Sequence, residues 1–208
     1  MRFVDRSVAR VTPVAPASVG PNAVTQVIAA LQEAGLQECT SLIFTDAGVG
    51  DWLVRRPVDM VDERGVAGLH HAVRTVLPPG QAIAVMADAG RRTANYLLAK
   101  RIPRPVQTLF KILPSALASR AMMGAIRRHA WTFAGSGHFD GRAGTPMVFE
   151  IIGNPLCSRD RSPTPVCTWH AAVFQRLFSV LVSSSTRVEE TACEACGDAC
   201  CRFELSLD

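Results

Sequence analysis

Four of the seven cysteines in the chain, Cys193, Cys196, Cys200 and Cys201, crowd into one short segment near the C-terminus around Gly197-Asp198. Thiolates at this density bind a metal ion or do redox chemistry when the setting is reducing. Strand alternation sorts them, because successive side chains point to opposite faces. In a terminal strand, Cys201 shares a face with Phe203, Leu205 and Leu207, while Cys200 faces the other way with Arg202 and Glu204. Cys201 therefore belongs inward and Cys200 outward. In the strand before it, Glu190 shares a face with Thr186 and Val188, and a buried carboxylate there needs a partner or a cation. A zinc ion takes four thiolate, imidazole or carboxylate ligands in a tetrahedron. Glu190, Cys193 and Cys201 supply three, and the fourth is Cys167 or Cys196. Four protein ligands leave no open position, so the role expected of the zinc is structural. The competing readings are plain buried thiols, which pack as small hydrophobes, and a redox pair Cys193-x-x-Cys196, which lacks the βαβ setting such a pair needs.

The elements that must carry these residues follow from periodicity. Apolar residues recur at helical spacing from Pro21 to a stop at Gly35, then over 36–46, 62–77 and 81–100, with Pro78-Pro79-Gly80 as a break. A short segment over 105–113 leads to Pro114, and 115–131 is helical again. After Ala134 the texture changes to glycine-punctuated strands around His138-Phe139 and over 147–152. A polar loop over 153–163 follows, then a buried helix over 164–182. A hairpin formed by 186–192 and 200–207 closes the chain. Helices first, then an antiparallel sheet with one embedded helix, define an α+β domain over 21–208 behind an extended N-terminal arm over 1–20.

With 208 residues, 48% hydrophobic and 19% charged, the chain can bury one sizeable core. The arm carries Arg2, Asp5, Arg6 and Arg10 and has no signal-peptide pattern. No segment offers the roughly 20 apolar residues of a membrane span. These features point to a cytoplasmic protein. A net charge of +4 does not call for nucleic acid, and the basic stretch from Lys100 to Arg128 lacks the interleaved aromatics of a base-stacking platform. That stretch reads as a solvated face, or at most as a peripheral contact with anionic lipid. Asp46, Asp51, Asp59, Asp62 and Glu63 read as helix caps and solubilising charges.

The set formed by Cys167 before a helix, Glu190-x-x-Cys193, Gly197-Asp198 and Cys201-Arg202-Phe203 resembles the 4-vinyl reductase domain. That domain also serves as the sensory part of phenol-responsive transcription activators, where three cysteines and a glutamate hold zinc. Mapped residue by residue, the resemblance implies a zinc site of Cys167, Glu190, Cys193 and Cys201, and so selects Cys167 over Cys196. Over about residues 20–208 the chain is similar to the branch of the family that serves bacteriochlorophyll synthesis in purple photosynthetic bacteria. The resemblance implies the ligand-binding fold of nitric-oxide-signalling and Golgi-transport proteins, a homodimer, and work at the 4-vinyl reduction stage, at or near the photosynthetic membrane. No Gly-x-Gly-x-x-Gly fingerprint is present to hold a nicotinamide donor. The expected role is therefore a carrier or assisting protein for a magnesium tetrapyrrole, working with other enzymes of the pathway. A divinyl chlorophyllide 4-vinyl reductase and a sensor of small aromatic ligands are the alternatives.

Such a macrocycle needs an apolar pocket with a few polar groups. Met122, Met123, Ile126, His129, Trp131 and Phe133 offer adaptable thioethers, aromatic faces and an imidazole able to ligate magnesium. An ordinary amphipathic helix with Met and aromatic residues in the core is the plainer reading of the same residues. His170, close after Cys167, is expected to be a packed core histidine.

Overall fold

The computed structural model describes residues 17–207. The chain opens with a two-residue strand β1 (Ser18–Val19) and helices α1 (Asn22–Glu33), α2 (Gln37–Asp46) and α3 (Asp51–Val54). Strand β2 (Val61–Asp62) pairs antiparallel with β1, Ser18 opposite Asp62 and Val19 opposite Val61. Helices α4 (Glu63–Val76), α5 (Pro79–Lys100), α6 (Arg104–Ile112), α7 (Ser115–Arg128) and α8 (Trp131–Ala134) follow. The second half holds β3 (His138–Arg142), β4 (Met147–Ile152), α9 (Thr168–Leu181), β5 (Arg187–Ala192) and β6 (Cys201–Ser206). The four longer strands form one antiparallel sheet in the order β3-β4-β6-β5. The class is α+β, as the element order predicts.

Two cores meet on α9. Trp169, Val173 and Leu177 lie on one stripe and pack with α1, α4 and α5. Phe174, Phe178 and Leu181 lie on a neighbouring stripe and pack against Phe149, Phe203 and the rest of the inner sheet face. A helix apolar on two stripes is buried between two layers. Edge-to-face contacts among Phe139, Phe149, Phe174 and Phe203, with centroids 5.2–5.4 Å apart where they touch, fix the rings of the sheet side.

The helical layer can approach α9 closely because Gly90 faces it. A Cβ at Gly90 would lie 2.4 Å from the Trp169 carbonyl oxygen and 2.7 Å from Ala172 Cβ. Asp62 caps α4 by accepting the Arg64 N–H at 2.8 Å. Glu63 accepts from both Ser136 N–H and Ser136 Oγ–H, tying α4 to the turn before β3. His70 Nε2 donates to the Ala23 carbonyl at 3.0 Å and so pins α4 to α1.

The differences from the sequence reading have plain causes. Val19 is fully buried, so the end of the expected arm belongs to the domain, while residues 1–16 lie outside the described residues. Helix α5 starts at Pro79 rather than after the Pro-Pro-Gly break, because proline is tolerated in a first turn where its N–H has no partner to lose. The segment before Pro114 is a full helix, α6. The helix expected over 115–131 divides at His129-Ala130 into α7 and α8.

Two outcomes test this packing. Gly90→Ala should overpack the α5–α9 crossing and lower stability by about 2 kcal/mol. Gly124→Ala, on an exposed helical position with nothing within 4 Å of its new Cβ, should raise it by about 0.5–1 kcal/mol. Urea unfolding of the two variants checks both signs.

A third outcome concerns acid. Burial, then the charge of Arg74, pushes the His70 imidazole down to about 3, and burial holds His170 at about 4. Both rings stay neutral in the folded protein where the unfolded chain, with an ordinary value near 6.5, already takes up protons. Stability present above about pH 6.5 is therefore lost progressively as pH falls towards 3–4. His70→Gln keeps a donor for Ala23 but cannot titrate. Its urea midpoint should fall less steeply than that of the natural protein between about pH 7 and pH 4.5, and equal slopes would contradict the assignment.

Candidate metal centre

Four buried thiols converge where three segments of the second half meet. Cys201 opens β6 on the inner face of the sheet, opposite Ile151 of β4. Cys193 follows β5 and starts the hairpin turn. Cys167 is the residue before α9, and Cys157 sits in a single 3-10 turn (Pro155–Cys157) after β4. The sulfurs all lie within 4.8 Å of one another. Cys157 and Cys167 each approach Cys201 to 3.5 Å, and Cys193 lies 3.8 Å from Cys167 and 3.9 Å from Cys201. All four residues are at most 4% exposed.

These distances fit a single tetrahedral ion. Metal–sulfur bonds of about 2.3 Å place neighbouring sulfurs about 3.8 Å apart. A cluster of several irons with bridging sulfide needs the thiolates spread around it, and sulfurs in contact leave room for one ion only. All-thiolate tetrahedral coordination suits zinc or iron. With no open position, such an ion is a cross-link rather than a site for a substrate.

The surrounding chain holds the ligands in place. Gly197 turns with φ of 94°, in the left-handed region that glycine adopts freely, so the hairpin can fold Cys193 back over Cys201. Asp198 accepts the Cys193 N–H at 2.8 Å. The Glu194 carboxylate accepts the N–H groups of Gly153 and Asn154 at 2.6 and 2.7 Å, which draws the Cys157 turn onto the hairpin. The buried Asn154 accepts from Leu156 N–H through Oδ1 and donates from Nδ2 to Cys167 Sγ at 3.3 Å. Asp160 pairs with Arg74 and His71 of α4, and Arg74 also donates to the carbonyls of Leu156 and Val166. The loop over 153–166 is thereby stapled to the helical half.

The electrostatics of the cluster are strongly coupled. Hydrogen bonds from Cys157, then Cys167 and Cys201, pull the Cys193 thiol well down. Its neighbours, Cys157 foremost, together with burial push the Cys167 thiol well up. Thiols in contact cannot all ionise unaided, because each thiolate raises the cost of the next. Burial and the charge of Cys193 push the Glu190 carboxyl up to about 9.

Of the expected ligands, the structure brings Cys167, Cys193 and Cys201 together. It places Cys157, which the sequence reading left in a polar loop, as the fourth member. Glu190 stands beside the tetrad rather than in it. Its Oε2 accepts the Cys167 N–H at 2.6 Å, and its buried Oε1 has no partner among the described residues. Cys196 is exposed and Cys200 half-buried on the outer face, as alternation predicts. Cys157 gives little sequence signal beyond being a cysteine ten residues before Cys167, because its loop has no periodicity.

The residues expected to line a pigment pocket are not gathered into one lining. Met122 and Ile126 are buried in the sheet-side core, and Met123 and Phe133 pack against it. Trp131 and His129 are exposed. His129 Nδ1 lies 2.8 Å from the Ala125 carbonyl. A carbonyl only accepts, so Nδ1 donates this bond, and Nε2 is the ring nitrogen that it does not use. His170 is a core histidine, stacked near Phe174 and edge-on to Phe133 and Trp169.

Residues 147–207 match the V4R domain, and that span contains the whole thiol tetrad and Glu190. The chain is 43% identical over 190 residues to the bacteriochlorophyll synthase 23 kDa chain of Cereibacter sphaeroides, covering 90% of this chain and 89% of the relative. It is 36% identical over 189 residues to the 23 kDa chain of Rhodobacter capsulatus, covering 90% and 86%. An H-NOX protein from S. oneidensis, in its Fe(II)NO ligation state, aligns with a TM-score of 0.47 at 13% identity, over 88% of this chain and 98% of that one. The chain is thus a V4R-domain protein. It belongs to the family of bacteriochlorophyll synthase 23 kDa chains.

Among the tetrad, Cys157→Ser should release the bound metal and cost about 4 kcal/mol or more of stability, the scale on which a lost metal site is felt. Cys200→Ser and Cys196→Ser should change both within about 0.5 kcal/mol, as other surface substitutions do. Metal analysis and urea unfolding of the three variants check the ligand set. Retention of metal by Cys157→Ser, with loss in Glu190→Gln, would make the carboxylate the fourth ligand.

Proposed function

We propose that the protein binds a magnesium tetrapyrrole intermediate of bacteriochlorophyll synthesis and assists its processing at the stage of 4-vinyl reduction, on a scaffold braced by one structural zinc ion. The observation that carries this reading is the relationship to two bacteriochlorophyll synthase 23 kDa chains over about nine-tenths of the sequence. Zinc is the preferred ion because it takes four thiolates in a tetrahedron without redox chemistry of its own. The site's lack of an exposed ligand supports a structural duty. Cys157, Cys167, Cys193 and Cys201 hold the ion, and Glu190 fixes the Cys167 backbone. All seven cysteines are unbridged, which suits the reducing cytoplasm. Among the described residues no helix is long and apolar enough to cross a membrane. A homodimer, implied by the resemblance to the 4-vinyl reductase domain, is part of the same proposal.

The pigment is assigned to the α7–α8 surface. His129, exposed and bonded only through Nδ1, would offer its Nε2 as a ligand to the magnesium. Trp131 offers an exposed aromatic face on the same surface. The chain's own contribution is to bind and orient the macrocycle for a reductant brought by another protein.

Absorption titration of metal-replete protein with divinyl chlorophyllide tests this. The expected result is saturable binding with a shifted pigment spectrum. His129→Phe should weaken binding roughly tenfold, the effect of losing about 1.4 kcal/mol, for the magnesium pigment and little for its magnesium-free form. Tighter binding of simple phenols than of any chlorin would move the reading to an aromatic-ligand sensor. Turnover of the vinyl group with NADPH and no other protein would make the chain itself the reductase.

A further inference from the structure

Between Asp88 and Asp140 the chain has no acidic residue, and it carries nine Lys and Arg side chains, from Arg91 to Arg128. The two bracketing acids are already engaged, Asp88 by Arg91 and Arg92 and Asp140 by Arg127. Lys100, Arg101, Arg104, Lys111 and Arg120 make no ion pair among the described residues. The stretch is a one-sign field over the end of α5, all of α6 and most of α7.

Helix α6 sits inside this field in an unusual way. None of its side chains is buried. At 100° per residue, Val106, Leu109, Ile112 and Leu113 fall on one arc, with Arg104, Thr108 and Lys111 opposite. An amphipathic helix of a globular protein turns its apolar arc to the core. Here Leu109 is 52% exposed and Ile112 73%, and Leu117 at the start of α7 is 53% exposed. What holds α6 to the protein is the side between the edge of that arc and the polar face. Phe110 packs against the sheet-side core, and Gln107 Nε2 donates to the carbonyls of Leu98 and Ile102 at 2.6 and 2.8 Å. Beside α6 a cavity of about 520 Å³ is lined by Lys100, Arg101, Arg104 and Arg176, with Asn95 and Gln107 and no carboxylate. Arg176 is braced there by donating to Asn95 Oδ1 at 2.8 Å.

We propose that α6 and the cation-lined cavity beside it dock the protein on an anionic phospholipid bilayer. Leu109, Ile112 and Leu117 enter the boundary between headgroups and acyl chains, and the cations behind the arc, Lys100, Arg101, Arg104 and Arg176 around the cavity, hold the protein to the negative surface by their field. An exposed apolar arc backed by a cationic face is the composition of a helix that lies in a membrane interface, and anionic lipid attracts each nearby Lys or Arg. A second copy of the same face would set like charges against one another. A nucleic acid would leave the aliphatic arc in water. A bilayer satisfies both halves of the surface, and this docking does not depend on the pigment-binding reading.

Flotation of the full chain with vesicles of phosphatidylglycerol and phosphatidylcholine, against vesicles of phosphatidylcholine alone, tests the proposal. Binding is expected for the anionic vesicles only, and it should fall as salt is raised. Leu109→Glu with Ile112→Glu, and separately Lys100→Glu with Arg104→Glu, should each reduce it at least tenfold while leaving metal content and thermal unfolding unchanged. Val54→Glu with Val58→Glu, at exposed apolar positions outside the acid-free stretch, should leave it intact. Equal binding to neutral vesicles, full binding by the Leu109/Ile112 variant, or equal loss in the Val54/Val58 variant would overturn the proposal. So would absent vesicle binding together with a self-association, seen by light scattering, that the Leu109/Ile112 variant abolishes.

Discussion

Four sulfurs held in mutual contact, out of reach of water, cannot all carry charge without a cation between them. That constraint organises the second half of the chain. Three segments distant in sequence, the turn after β4, the residue before α9 and the β5–β6 hairpin, deliver their thiols to one point. The segments are individually weak: one 3-10 turn, one helix end and a hairpin whose first strand carries a register shift between Glu190 and Ala192. The stabilisation available from an ion with four thiolate ligands is large on this scale, and metal binding to such a site is coupled to folding. The fixed acceptors around the tetrad, Glu190, Glu194 and Asp198, bind backbone N–H groups. They set where the thiols stand.

The effect reaches the helical half through α9. One stripe of that helix packs under the α1–α4–α5 layer and the next stripe packs on the sheet, so the two cores share a single rigid element. Gly90 sets how closely α5 approaches it. The Arg74–Asp160 pair, only slightly exposed on both sides, links α4 to the loop that carries Cys157. The thiol tetrad, the sheet and the long helices therefore form one body. The surfaces left for partners lie on the other side of the chain's logic, in α6, α7 and α8, where apolar and cationic side chains stand exposed.

Much of the centre was legible in the sequence. Alternation along β6 separated Cys201 from Cys200, and the Gly197-Asp198 turn placed Cys193 beside it. The resemblance to the 4-vinyl reductase domain added Cys167, and the structure brings these three together. Cys157 was not legible, because a thiol in an aperiodic loop is assigned a direction only by contacts from remote residues, here Glu194 and the Asn154 turn. The boundaries of α5 and the break between α7 and α8 depended on proline tolerance and tertiary packing, which periodicity does not carry. The six residues grouped along 122–133 illustrate the same limit. Helical spacing placed Met122 and Ile126 together, yet both serve the core, and only His129 and Trp131 face outward. The stretch that forms α6 reads in the sequence only as a short segment before Pro114, and its exposed arc emerges from the structure.

The account's central claim is one ion inside four sulfurs. X-ray absorption at the zinc edge of freshly isolated protein measures that directly. The account predicts one zinc per chain with four sulfur neighbours at about 2.3 Å. A first coordination sphere containing an oxygen or nitrogen neighbour, or an absence of stoichiometric zinc, would contradict it.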